Sequence, residues 1–138
     1  MITKSIKHLV AEANAVIETV PIDKASDLLD DENVVIVDIR DVRELDRDGM
    51  IPGAVHAPRG MLEFWVDPDS PYYRELFGSG KKFVFYCAGA LRSALATRAV
   101  QEMGLTPVAH IEGGFGAWKN AGYPIVDRPA KKPAEKQG

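Results

Sequence analysis

The sequence is poor in the residues that bind metals or cross-link chains. It has one cysteine, Cys87, among 138 residues. No internal disulfide can form and no multi-cysteine zinc site can be built. Its three histidines, His8, His56 and His110, are scattered without ligand spacing, so no metal is expected. Basic charge is not in excess: 17 Lys and Arg against 20 Asp and Glu leave a net charge of −3. That gives no electrostatic footprint for nucleic acid. Long apolar runs are missing too, and nothing approaches the roughly 20 residues of a membrane span. No membrane association is expected, and a cytoplasmic location is the default.

The first residues, MITKSIKHLVAEANAVIETV, do not read as a targeting segment, because Lys7, His8, Glu12, Asn14 and Glu18 interrupt any apolar core. Ile6, Leu9, Val10, Ala13, Val16 and Ile17 recur instead at helical spacing. Residues 1–19 are expected to form an amphipathic helix that packs on the domain or on a partner chain, a candidate homodimer surface.

The apolar fraction of 46% and the charged fraction of 27% suit one globular domain. Strands are expected at VPI (20–22), VVIVDIRD (34–41), AVH (54–56), KFVFY (82–86) and near 107–111. The two longest are β-branched or aromatic runs of the kind buried on both faces of a parallel sheet. Between them fall helical segments: one capped by Asp23, a polar one at DVRELDRDG, one capped by Ser70, LRSALATRAVQEM ending at Gly104, and a short one in EGGFGAWKNAG. The alternation argues for an α/β domain over residues 20–126, with a mostly parallel five-stranded sheet and helices on both faces. Residues 127–138, DRPAKKPAEKQG, are charged and apolar-poor and are expected to form a disordered tail.

Ligands in such sheets sit at the carboxyl ends of strands. Asp38 and Cys87 both fall there. Cys87 lies in FVFYCAGALRS (83–93), where Ala88, Gly89, Ala90 and Leu91 separate it from Arg92 and Ser93. Small residues let such a loop curl with its amides pointing inward. A helix N-terminus and the Arg92 cation add positive potential. Each favours the thiolate over the thiol, and the same cradle suits an oxyanion. A free cysteine ordinarily packs as a small hydrophobe, but that reading accounts for neither the loop nor the arginine.

The stretch from Cys87 to Ser93 resembles the active-site loop of rhodanese-type sulfurtransferases. VVIVDIRDVREL with GMIPGAVHAP is similar to the family's N-terminal signature, and HIEGGFGAWKNAGYPI to its C-terminal one. The resemblance implies the three-layer rhodanese-like fold. It also implies a sulfur relay: Cys87 takes the outer sulfur of a small anionic donor such as thiosulfate as a persulfide, and a thiol, a protein acceptor or cyanide removes it. No cofactor is implied. The amides from Ala88 to Arg92, with Ser93, would stabilise the sulfur, and Arg92 would hold the donor. Two positions depart from the family's common loop. Ala90 stands where a glycine is frequent, and Ala88 where a basic residue is frequent, which puts thiosulfate in question more than sulfur transfer.

Asp38 could bond the loop amides or Arg40, or simply cap the following turn. Arg59 could line the pocket and supply the charge that Ala88 lacks, or be a solvated surface residue. Phe64 and Trp65 could form an apolar wall or belong to the core, His56 reads as structural, and Trp118 as core. Two other functions remain open. Some phosphatases share this fold and use a cysteine–arginine loop, but with five intervening residues where this chain has four. A non-catalytic binding module would commonly have lost the cysteine.

Overall fold

The structure, a computed structural model, describes residues 1–129. Five strands form one sheet: β1 Glu18–Val20, β2 Val34–Asp38, β3 Val55–His56, β4 Lys82–Tyr86 and β5 Val108–Ile111. Their order is β1-β5-β4-β2-β3. Every strand pairing is parallel, so the sheet goes beyond the mostly parallel arrangement expected. The helices are α1 Ile6–Val16, α2 Ile22–Ala25, α3 Val42–Asp48, α4 Leu62–Val66, α5 Leu91–Glu102 and α6 Gly114–Asn120.

The two-residue period of the strands divides the core. Phe83, Phe85 and Cys87 join Val37, Ile39, Leu62, Ala96 and Val100 on the face covered by α4 and α5. Val84 and Tyr86 join Ile36, Ala25, Phe115 and Trp118 on the face covered by α2 and α6. With both faces covered, β2 and β4 need the apolar runs that mark them in the sequence. The α/β three-layer architecture is therefore the one expected.

α1 starts where Ser5 caps it, its Oγ accepting from the His8 amide at 3.1 Å. The helix packs along α5 and buries Ala13 completely. Gln101 of α5 fastens its far end, donating to the Val16 carbonyl at 2.8 Å. Its apolar stripe is only partly used: Ile6 and Val16 stay 60% and 57% exposed.

Three local expectations need correction. The strand expected at 20–22 lies at Glu18–Val20, because Pro21 turns the chain and serves as the N-cap of α2. Asp23 therefore sits inside the first turn of α2 and does not cap it; the Ile22 amide is capped by Glu112 Oε1 at 2.9 Å, 90 residues away. Ser70 starts no helix. Its hydroxyl accepts from the Tyr72 amide in a turn, and only a 3-10 turn forms, at Glu75–Gly78. Of the expected tail, residues 130–138 lie outside the described residues. Arg128 is tied back, its Nε donating to Asp46 Oδ1 at 2.7 Å.

At the end of β2, Asp38 and Arg40 form a buried ion pair, 0% and 1% exposed. Arg40 Nη2 donates to Asp38 Oδ2 at 2.6 Å and to the Gly49 carbonyl at 2.8 Å. The guanidinium also lies 4.4 Å from the Phe115 ring centre. The Arg40 amide donates to Asp38 Oδ1 at 3.0 Å, and the Arg40 carbonyl accepts from His56 Nε2 at 2.7 Å. Nearly every polar atom is partnered, as the cost of burying charge demands. Asp38 thus bonds Arg40, one of the two partners considered for it, and His56 is structural. Neutralising one member leaves the other charge buried and unpaired. Asp38→Asn is expected to cost about 3 kcal/mol or more, read as a lowered urea midpoint, while the reactivity of Cys87 in the remaining folded protein stays near that of the wild type.

Candidate active site

β4 ends at Tyr86 and α5 begins at Leu91, so residues 87–90 must reverse the chain within one short loop. Two bonds hold the loop from below. The Phe115 amide donates to the Cys87 carbonyl at 2.8 Å, and the Gly116 amide to the Ala88 carbonyl at 3.0 Å. Both donors belong to the first turn of α6, where amides lack partners within the helix. The approach is close enough to fix a residue type. A Cβ on Gly114, whose φ is +63°, would lie 2.6 Å from the Cys87 carbonyl oxygen. Only glycine fits.

With the Cys87 and Ala88 carbonyls held by α6, the Ala88 and Gly89 amides of the same peptide units face the other way. Those of Ala88, Gly89 and Ala90 donate to no protein group among the described residues. The Cys87 side chain enters the α5 face, where Sγ accepts from the Ser93 amide at 3.3 Å. Cys87 is only 1% exposed, so the sulfur lies at the floor of the loop. Ala90 takes up the turn at φ +69°, the one non-glycine residue with positive φ among the described residues. That conformation costs an L-residue roughly 1–2 kcal/mol. The position where glycine was expected is thus one with a geometric reason for glycine, and here an alanine is held in strain at the start of α5.

Arg92 is not free. Its Nη1 and Nη2 donate to Glu44 Oε1 and Oε2 at 2.8 and 3.0 Å. Glu44 is itself fixed at the start of α3 by a capping box with Asp41. The Arg92 hydrogen bonds hold the Glu44 carboxyl below its ordinary range. Reciprocally, the guanidinium is raised, first by Glu44 and to a lesser extent by the Cys87 sulfur.

Ser93 is fully buried and contributes its amide to the sulfur. Leu91 points outward, 62% exposed. Arg59 pairs with Glu63 at 2.7 Å, and Trp65 lies under the Arg74 guanidinium at 3.9 Å. Neither forms a hydrogen bond with the loop among the described residues. Asp38 and Arg40 belong to the opposite face of the sheet, with Tyr86. The loop residues and Arg92 are thus brought together, while Arg59, Trp65, Asp38 and Arg40 serve neighbouring structure. Sequence reasoning missed Glu44 entirely; it took Glu112, Gly113 and Gly114 as a turn that the family resemblance places beside the active site, without the contact that Gly114 makes there. It also passed over His110, whose Nδ1 lies 2.9 Å from Ser93 Oγ.

The model of the Rhodanese-like domain matches residues 22–121. The chain belongs to the rhodanese-like family. A protein of Allochromatium vinosum named a sulfurtransferase is 33% identical over 99 residues, which cover 72% of this chain and 84% of the relative. The structure of a Rhodopseudomonas palustris protein of unknown function, described as a possible tyrosine phosphatase, is 60% identical, with a TM-score of 0.88. The match covers 91% of this chain and 96% of that one. The polysulfide-sulfur transferase homodimer of Wolinella succinogenes is 28% identical, with a TM-score of 0.66 over 91% of this chain and 90% of that one. No helix among the described residues is long and apolar enough to cross a membrane.

The Glu44 contact restrains Arg92. With Arg92 44% exposed, such a pair is worth no more than about 1 kcal/mol, so an arriving anion can compete for the guanidinium. Glu44→Gln keeps the capping box and releases the charge. Its dissociation constant for a small dianion such as sulfate, measured by calorimetry, is expected to fall up to roughly fivefold. The pair stabilises the fold above the ordinary Glu value of 4.5 and loses that contribution as pH falls through the depressed value. The melting temperatures of wild type and variant should therefore converge in acid.

Proposed function

We propose that this protein is a sulfurtransferase that carries a sulfane sulfur as a persulfide on Cys87. The observation that carries the reading is the loop backbone: the carbonyls of Cys87 and Ala88 are bound to α6, and the amides of Ala88, Gly89 and Ala90, in the loop that carries Cys87, have no protein acceptor among the described residues. Such a ring of amides stabilises a compact anion without any cation having to move.

In the first step the Cys87 thiolate attacks the outer sulfur of the donor. A sulfur–sulfur bond forms, the donor's own sulfur–sulfur bond breaks, and its electron pair leaves on sulfite or on a thiolate. The terminal sulfur of the persulfide then lies over the amides. An acceptor thiolate, a protein thiol or cyanide attacks that sulfur, and the Cys87 thiolate returns. Electrons balance within the two displacements, so neither step calls on a metal or a cofactor. With a single cysteine there is no resolving thiol in the chain, and the sulfur must leave on another molecule.

The donor is a small anion, and the charge at the site favours a singly charged one. Ala88 adds no cation and Glu44 shares Arg92, so the singly charged persulfide group of a small thiol suits the site better than the thiosulfate dianion. The Wolinella relative, a polysulfide-sulfur transferase, is in keeping with transfer of a sulfane sulfur. Its homodimeric state also makes a dimer through the exposed side of α1 a reasonable arrangement for this chain.

The Rhodopseudomonas relative raises phosphate ester hydrolysis as a second reading. Loop length weighs against it. Four residues between Cys87 and Arg92 make a smaller ring than a tetrahedral phosphate needs. One assay pair separates the two. Wild type is expected to form thiocyanate from cyanide with a thiosulfate or polysulfide donor, to lose at least about a thousandfold on Cys87→Ser, and to leave an aryl phosphate untouched. Turnover of the aryl phosphate without thiocyanate formation would replace sulfur transfer with phosphatase activity.

A further inference from the structure

A chain of polar side chains runs from the surface to the site and has no part in the steps above. Asn14 Oδ1 on α1 lies 3.0 Å from His110 Nε2 on β5. His110 Nδ1 lies 2.9 Å from Ser93 Oγ on α5. The Ser93 amide donates to Cys87 Sγ at 3.3 Å. These residues come from three separate elements, at positions 14, 93 and 110. His110 is 2% exposed and Ser93 0%, which makes each of these bonds expensive to lose.

The proton inventory closes in one way. An amide oxygen can only accept, so Nε2 of His110 carries a hydrogen for Asn14. Burial lowers the His110 pKa and keeps the ring neutral, so Nδ1 is bare and accepts from the Ser93 hydroxyl. The hydroxyl is thereby committed to His110 and is not a donor to sulfur. What Ser93 gives Cys87 is its amide, and the direction of that amide depends on where the side chain is anchored.

The need for an anchor is visible in the helix. α5 has no side-chain cap, and its N-cap residue, Ala90, is the strained one. Arg92 leans outward to Glu44. Thr97 holds the Ser93 carbonyl at 2.7 Å, which leaves the Ser93 hydroxyl as the inward fastening of the first turn.

The geometry points to Asn14 and His110 as positioning residues for the nucleophile: acting through Ser93 Oγ, they hold the first turn of α5 so that the Ser93 amide faces Cys87 Sγ. α1 is then part of the working site, not only a cover for α5. The inference rests on the reading of Cys87 as the reactive group, yet it can be tested without any sulfur substrate.

The test is the rate at which iodoacetamide alkylates Cys87 at fixed neutral pH, followed by intact mass in the full chain. With one cysteine, every adduct reports this site. Asn14 is exposed, so Asn14→Ala removes the outer bond without opening a core cavity. Asn14→Ala and Ser93→Ala are each expected to change the rate roughly threefold or more, the scale of one lost hydrogen bond. The double variant should match Ser93→Ala alone, because Asn14 acts only through that hydroxyl. His110→Asn, which keeps an acceptor for Ser93, should stay closer to wild type than His110→Phe. Independent, multiplying effects of Asn14→Ala and Ser93→Ala would overturn the inference, as would an unchanged rate in Asn14→Ala. A wild-type thiol no faster than a free cysteine would overturn both this inference and the proposed function, whereas a reactive wild type with unresponsive variants would remove this inference alone.

Discussion

Everything proposed for this site depends on two hydrogen bonds between α6 and the cysteine loop. The amides of Phe115 and Gly116 take the carbonyls of Cys87 and Ala88. A peptide unit has its carbonyl and amide on opposite sides. Pinning these two carbonyls toward α6 therefore turns the Ala88 and Gly89 amides away from α6, toward the face of the sheet that the Cys87 side chain joins. The orientation of the loop backbone is thus set by a helix that begins 27 residues after Cys87, and by the absence of a Cβ at Gly114.

The electrostatics follow from that backbone arrangement. A site that relied on Arg92 alone would be weakened by Glu44, which takes both ends of the guanidinium. Backbone amides cannot be neutralised in that way. In the proposed function the labour divides accordingly: amides hold the sulfur, while Arg92 serves a donor that outcompetes the Glu44 carboxylate. The other strong ion pair, Asp38 with Arg40, sits across the sheet from Cys87 and holds the end of β2 to the segment around Gly49. It belongs to the scaffold.

The sequence reported well on features that act within a few residues. The apolar runs of β2 and β4, the polar helix in DVRELDRDG and the small-residue loop before α5 all have local causes. So the three-layer sheet and the strand–loop–helix setting of Cys87 were legible. Legibility failed where the partner is distant in the chain. Glu112 caps α2 from 90 residues away, displacing the role given to Asp23. Glu44 reaches Arg92 across 48 residues. His110 and Asn14, 96 residues apart, look like an isolated strand histidine and a polar helix residue until β5 is laid beside α1. The paired glycines at 113 and 114 did carry a signal, but only the fold reveals that Gly114 makes room for the Cys87 carbonyl. Arg59 and Trp65, plausible by position, turned out to satisfy Glu63 and Arg74.

The account stands on a persulfide held by loop amides that α6 orients. The most direct measurement is intact mass after incubation with a thiosulfate or polysulfide donor, for wild type and for Gly114→Ala, with the fold of the variant confirmed by near-ultraviolet circular dichroism. Wild type should gain one sulfur atom and lose it to cyanide, and the folded Gly114→Ala should gain it far more slowly. A wild type that gains no sulfur from any donor, or a Gly114→Ala protein that gains it as fast, would contradict the account.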